Sequence, residues 1–366
     1  LHLLSRRQRQ MCIRDSAMPD FLHPSGIDSY DDLSSLWYLG AFSYYLTLSD
    51  SYLAQALDWL AGQDIEIVNI GDKPAVMVWN GYGPQVVQNG SHPVLSSQMY
   101  TDAEFTSAFL TAKSEDEGIA LLVIRALEYD YSEHNGFSSE IRNILGEDLA
   151  NKLTDIFEHP SNYIQTVLDD PDTYGHRTND LSAINAKYAV AAHELASSDD
   201  LIQIYSDIKN ATNLDFGYFM FDSSIFPLGY QSQGVLYVAA SLSDYVLDSY
   251  TGAPTDFYTI SAYVYNPNTS SLSIVDVKDI PSGYTVLSYV LSYTDTFYNS
   301  ILYKSYMGSS GASGNPGMGL AHFKQVYHTA YYNPYVLADD ADDAAEAEFN
   351  KHWKVISLEE AKNIQE

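Results

Sequence analysis

The spacing of apolar residues changes near residue 234, and this change constrains the fold more than any other sequence feature. Before it, Ser114–Glu117 forms a capping box ahead of apolar residues at helical spacing, and similar patterns recur up to Ala211. After it, short runs rich in β-branched and aromatic residues alternate with turn residues such as those at 266–268. The sequence therefore predicts a mixed α/β, helix-rich core followed by a β-rich part, either an antiparallel sheet or a small barrel.

The sequence divides into four segments. Residues 1–16 include Met11–Ser16, which resembles a translated sequencing adapter, so this segment is excluded from fold reasoning. Residues 17–230 are predicted to form the mixed α/β core domain and residues 231–335 the β-rich domain, beginning with a strand at Val235–Val238. Residues 336–366 are predicted to be an acidic segment followed by a C-terminal strand and helix.

Charge and composition exclude several classes of function. The net charge of −30 repels nucleic acid and anionic membrane surfaces, so no nucleic-acid partner is expected. No run approaches the ~20 apolar residues that span a bilayer. The single cysteine, Cys12, lies in the excluded segment, and the ten histidines show no metal-ligand spacing. The sequence therefore predicts neither a disulfide nor a metal site within this chain.

One short segment stands out as a candidate binding loop. The apolar run Ala75–Val78 predicts a buried strand, and it ends in Trp79–Gly83, whose letters are WNGYG. A strand that ends in a glycine-rich loop can present its aromatic side chains to a ligand. The alternative is a tight turn whose two aromatic side chains fold back into the core.

Three Asn-x-Ser/Thr sequons begin at Asn89, Asn210 and Asn268. They are compatible with an extracytoplasmic protein. A serine-rich chain of this length would also contain two or three sequons by chance.

The loop and several later blocks resemble one known family. VMVWNGYGPQVV is similar to the segment VMSWWDYGYQIT of the oligosaccharyltransferase catalytic subunit, the AglB type. Further on, FGYFMFDSSIFPL is similar to the family's IRYFAVDSRLFPF, and GVLYVAASLSD to its GIFYAPAKLSD. These blocks occur in the family's order over most of residues 50–335.

The resemblance implies a C-terminal domain on the extracytoplasmic face of the membrane, cut off from the membrane region. Such enzymes transfer an oligosaccharide from a dolichol-phosphate-type lipid carrier to the Asn of an Asn-x-Ser/Thr acceptor. Their catalytic acids and the ligands of their divalent metal, Mn or Mg, lie in the membrane region, so no catalytic residue is assigned here. The expected partners are an acceptor peptide and, through the missing region, a lipid-linked oligosaccharide.

The same resemblance implies which residues hold the acceptor. Trp79, Tyr82 and Gly83 match the family's WWDYG motif, whose WWD part accepts the hydroxyl of the sequon's Ser or Thr. Asn80 and Gly81 replace its second Trp and its Asp, which removes an indole donor and a carboxylate acceptor.

The family has a second pocket motif of the DxxK type, carried by a helix. Its best counterpart is the helical segment with Asn185 and Lys187, which departs from the pattern.

Two other functions remain open. One is a divergent, non-catalytic paralogue that serves as an extracellular binding or structural protein. The other is an unrelated extracellular sugar-binding module, which explains the β-rich half but not the ordered blocks.

Overall fold

The computed structural model describes residues 52–96, 102–198, 200–221, 235–308, 320–331 and 351–358. The predictions made for residues 1–16, for the acidic part of 336–366 and for the C-terminal helix lie outside the described residues.

Helices and strands alternate irregularly along the described part of the chain. The helices are α1 (Tyr52–Ala61), α2 (Gly83–Asn89), α3 (Ala103–Leu110), α4 (Glu115–His134), α5 (Ser139–Leu145), α6 (Glu147–Glu158), α7 (Ile164–Asp169), α8 (Pro171–Tyr174), α9 (Ala183–Ala196), α10 (Leu201–Thr212), α11 (Val235–Leu242), α12 (Asp295–Asn299) and α13 (Ile301–Gly308). The strands are β1 (Ala75–Val78), β2 (Phe216–Phe221), β3 (Tyr258–Asn266), β4 (Ser271–Asp276), β5 (Thr285–Tyr293), β6 (Phe323–Tyr331) and β7 (Lys351–Leu358). The fold is therefore a mixed α+β fold, rich in helix, as the sequence predicts.

The chain divides into two compact units that are discontinuous in sequence. Of the described residues, the first unit takes 52–96, 102–106, 213–221, 322–331 and 351–358, and the second takes 107–198, 200–212, 235–308 and 320–321. The division of the sequence into contiguous domains with boundaries at residues 230 and 335 stays a prediction. The two compact units are discontinuous because β2, β6 and β7 come from distant parts of the chain and complete one sheet with β1.

The first unit contains a four-stranded sheet of order β1-β2-β7-β6. β1 and β2 are parallel, whereas β2 pairs with β7 and β7 with β6 in antiparallel fashion. Apolar residues of α1, β1 and their neighbours form one core cluster, made up of Leu53, Ala56, Leu57, Leu60, Val76, Val78, Val86 and Met220. Burial of these side chains, at roughly 25 cal/mol per Å² of apolar surface, fixes α1 on β1.

The second unit contains the long helix α4 and a three-stranded antiparallel sheet of order β4-β3-β5. One of the two capping-box contacts is present, since Ser114 Oγ accepts from the Glu117 N–H at 3.1 Å. Glu117 Oε2 accepts instead from the N–H of Lys113, the residue before the N-cap, at 2.6 Å. The predicted antiparallel sheet is confirmed by the β3–β4 and β3–β5 pairings.

One predicted strand is wrong. Val235–Val238 belongs to α11, a helix that buries Leu236, Tyr237, Ala239 and Ala240 and leaves Val238 exposed. A four-residue apolar run does not distinguish a strand from a buried helical turn by its periodicity alone. The alanines that follow it extend the helix, since alanine has the highest helix propensity.

Candidate functional site

The WNGYG loop joins a buried strand to a short helix in the first unit. β1 ends at Val78, a 3₁₀ turn covers Asn80–Tyr82, and α2 begins at Gly83 with Pro84 in its first turn. The Tyr82 N–H closes the turn by donating to the Trp79 carbonyl oxygen at 2.8 Å. The predicted strand and loop are therefore present, and the loop leads directly into a helix.

The buried side chain of Gln85 stabilises the turn. With its amide nitrogen facing the turn, Gln85 donates to the carbonyl oxygens of Tyr82 at 3.1 Å and Gly81 at 3.3 Å. Tyr82 itself is half-buried and packs against the core cluster of the first unit. One of the two aromatic residues of the loop therefore contributes to the core.

Trp79, which directly follows the last residue of β1, is also half-buried. Its indole N–H makes no hydrogen bond to any residue that the structure describes. A Cβ added at Gly81 would lie 3.5 Å from Trp79 Cδ1 and 3.7 Å from Trp79 Nε1, which is ordinary van der Waals contact. The backbone at Gly81 is not in the left-handed region, so neither space nor conformation requires glycine there.

The segment after α2 lies beside β1 and runs parallel to it. The Val76 N–H donates to the Pro93 carbonyl oxygen at 2.8 Å, and the Leu95 N–H donates to the Val76 carbonyl oxygen at 3.1 Å. β1, which leads into the loop, is thus hydrogen-bonded along both edges, to β2 and to residues 93–95. This pairing and the bond from the Tyr82 N–H to the Trp79 carbonyl oxygen order the start of the loop.

A polar cluster around the buried His92, which no local sequence pattern predicts, anchors the segment after α2. His92 is fully buried, with Nδ1 2.7 Å from the Gly90 carbonyl oxygen and Nε2 3.1 Å from Asp64 Oδ2. The Tyr218 hydroxyl donates to the same Asp64 oxygen at 2.7 Å. Burial, followed by this hydrogen bond, raises the pKa of Tyr218 well above its ordinary value. Asp64 and Tyr218 are 154 positions apart, so only tertiary contacts bring the cluster together.

Aromatic side chains surround this cluster. Trp59 of α1 stacks on Tyr327 with ring centroids 4.9 Å apart and contacts the edge of Tyr218 at 6.1 Å. Such pairs stabilise a packed face by about 0.5–1.5 kcal/mol each beyond area burial. The polar cluster and the aromatic pairs around it therefore rigidify the sheet whose strand β1 leads into the loop.

Asn185 and Lys187, the candidates for a second pocket, belong to α9 in the second unit. Asn185 is buried and its Nδ2 donates to the Leu242 carbonyl oxygen at 2.8 Å and to Asp244 Oδ2 at 2.7 Å. Lys187 Nζ forms an ion pair with Glu128. Asn185 Nδ2 and Lys187 Nζ thus join α9 to neighbouring parts of its own unit, whereas the buried Asn185 Oδ1 has no hydrogen-bond partner among the described residues.

In the part of the chain that the structure describes, no group of three or more His, Cys, Asp or Glu side chains is placed to hold a metal ion. Across the same residues, the helices are too short or too polar to cross a membrane.

No protein-family model and no curated protein matches the chain. Solved oligosaccharyltransferases of Archaeoglobus fulgidus are similar to it. The AglB structure in complex with an inhibitory peptide and a dolichol-phosphate has a TM-score of 0.36 and 11% identity, and the alignment covers 94% of this chain and 31% of that one.

A second structure, tethered to an acceptor peptide that contains the NVT sequon, has a TM-score of 0.38 and 10% identity. The alignment covers 96% of this chain and 39% of that protein. The chain therefore spans about a third of the length of these two proteins, and the activity and partners of a whole enzyme are proposals for it.

Proposed function

We propose that this chain is the acceptor-binding domain of an oligosaccharyltransferase on the extracytoplasmic face of a membrane. Its ligand is a peptide with an Asn-x-Ser/Thr sequon. The glycan comes from a dolichol-phosphate-type carrier held by a membrane region outside this sequence. The transfer step and its Mn or Mg ion are assigned to that same region, as the family resemblance implies.

The observation that carries this proposal is the placement of the WNGYG loop. The segment that resembles the family's sequon-binding motif lies at the carboxyl end of a buried strand that is hydrogen-bonded along both edges. Trp79 is half-buried there, with its indole N–H unpaired among the described residues. A partly exposed indole beside a fixed turn offers one donor and one apolar wall to a Ser or Thr side chain.

A second candidate function, a non-catalytic extracellular binding protein, is favoured by position 81. Gly81 offers no acceptor for the sequon's hydroxyl, although the fold leaves room for a side chain. A loop of this composition therefore supplies the shape of the acceptor site without its carboxylate.

Photo-crosslinking tests the proposal. An Asn-x-Thr peptide with a diazirine residue next to the threonine is irradiated with the chain, and crosslinked positions are mapped by mass spectrometry. We expect crosslinks at residues 79–83 that fall at least threefold in Trp79→Ala and on addition of unlabelled peptide.

One control variant tests the specificity of the crosslinks, and one control peptide distinguishes the two candidate functions. Tyr163→Phe removes an exposed aromatic hydroxyl in the other unit, so this variant should leave the crosslinks unchanged. Crosslinks that are as strong with an Asn-x-Ala peptide would favour the non-catalytic binding protein. Crosslinks that fall elsewhere on the chain would overturn the acceptor-binding proposal.

A further inference from the structure

The hairpin between β3 and β4 carries one of the three sequons at its tip. Asn266 and Ser271 form the last pair of the ladder, and residues 267–270 make the connecting turn. Asn268, Thr269 and Ser270 are all exposed. The whole sequon therefore lies on the surface of the second unit.

The reactive groups of this sequon make no hydrogen bond within the part of the chain that the structure describes. The Asn268 main-chain N–H donates to Asn266 Oδ1 at 2.9 Å, but its side-chain amide has no partner among the described residues. The Ser270 hydroxyl likewise has none within that part of the chain. No main-chain turn hydrogen bond of the described residues involves positions 267–270, so the tip can change conformation without breaking the ladder.

The other two sequons are held by secondary structure. Asn210 lies within α10, and the hydroxyl of its partner Thr212 donates to the Ile208 carbonyl oxygen at 2.7 Å. A peptide in this conformation reaches an enzyme's cleft only after the end of the helix unwinds.

Asn89 is the last residue of α2 and is half-buried. The following Gly90 is packed so closely that an added Cβ would lie 2.8 Å from both Leu60 Cδ2 and the Val86 carbonyl oxygen. Exposing this sequon would therefore disrupt the core of the first unit.

We propose that Asn268 is a site of N-linked glycosylation, a modification that does not depend on whether the chain itself takes part in glycan transfer. The co-reactant is a lipid-phosphate-linked oligosaccharide. Asn268 Nδ2 bonds to the anomeric carbon, the bond from that carbon to the carrier's phosphate oxygen breaks, and the phosphate leaves with the electron pair. One amide proton passes to a base of the transferring enzyme.

A glycan at this tip has a physical consequence for the neighbouring strand. Leu272 and Ile274 of β4 are 51% and 61% exposed, and they lie on one face with Tyr265 and Tyr263, their partners on β3. Exposed apolar side chains on an edge strand favour association with other chains. A bulky, hydrated glycan that begins four residues before Leu272 opposes such contacts.

The test exports the chain into a compartment with an active N-glycosylation system, together with a reporter protein that carries an exposed sequon. Intact-mass and glycopeptide spectrometry then measure occupancy. We expect a mass increase of one glycan per chain that is lost in Asn268→Gln and in Ser270→Ala, and is retained in Asn210→Gln. Thermal unfolding of Asn268→Gln should match the parent, because the side chain is exposed and its amide has no hydrogen-bond partner among the described residues.

Two results would overturn the proposal. One is an exported chain with unmodified Asn268 while the reporter is glycosylated. The other is a glycan on Asn89 or Asn210 that persists in Asn268→Gln.

Discussion

Replacing Gly81 with aspartate should give the WNGYG loop the hydroxyl acceptor that it lacks. The position tolerates the change, since a Cβ there meets only Trp79 at 3.5–3.7 Å and the backbone is not in the left-handed region. Because Trp79 Nε1 is close to that Cβ, one carboxylate oxygen can accept from the indole N–H and the other remains available to a ligand.

The expected change in peptide affinity follows from one charge-assisted hydrogen bond. Such a bond contributes about 1.5–3 kcal/mol, and the lower end applies here because Trp79 and Gly81 are only half-buried. A difference of about 1.4 kcal/mol is tenfold in affinity. We therefore expect Gly81→Asp to raise the preference for an Asn-x-Thr peptide over its isosteric Asn-x-Val counterpart by roughly tenfold.

Fluorescence anisotropy with labelled peptides measures this preference as a ratio of two dissociation constants. The ratio cancels effects common to both peptides, including any general change in the loop. Gly81→Ala is the matched control, because it adds the Cβ without an acceptor and should leave the ratio unchanged. Gly81→Asn, a neutral acceptor, should fall between the two.

Two outcomes would refute the reasoning. If Gly81→Ala changed the ratio as much as Gly81→Asp, packing and not hydrogen bonding would be responsible. If Gly81→Asp left the ratio unchanged in a protein with the parent's melting temperature, residues 79–83 would not contact the hydroxyl of the sequon.

Two further predictions concern stability. Ser114→Ala removes the side-chain acceptor at the start of α4 and should lower the free energy of unfolding by about 1 kcal/mol in urea titrations, whereas Ser139→Ala, an exposed change, should have little effect. Alkaline pH should destabilise the fold, because burial and the hydrogen bonds to Glu158 and Asp155 raise the pKa of Tyr131 and of Tyr163 to about 12. The folded state holds these protons more tightly than the unfolded chain, whose tyrosines titrate near pH ~10, so the stability is complete below that pH and is lost as pH rises toward 12. Urea midpoints that stay constant from pH 10 to 12, with Tyr131→Phe and Tyr163→Phe as controls, would contradict this.

Local signals predict much of the fold. The capping box at Ser114–Glu117 correctly marks the start of α4, and turn residues between β-branched runs correctly mark the β3–β4 and β4–β5 connections. The strand at Ala75–Val78 and the loop after it are likewise predicted, because an apolar run that ends at glycines depends little on distant residues. These elements are encoded by side chains within a few positions of one another.

Other features have no local signal. The sheet order β1-β2-β7-β6 and the contact of Asp64 with His92 and Tyr218 depend on which segments meet after the chain collapses. The sequence by itself determined the WNGYG loop, its flanking strand and the helical and β-rich character of the two parts of the chain. Only the tertiary structure decided which distant strands complete the sheet beneath that loop and which sequon lies exposed at a hairpin tip, because pairing and burial are properties of contacts between residues far apart in sequence.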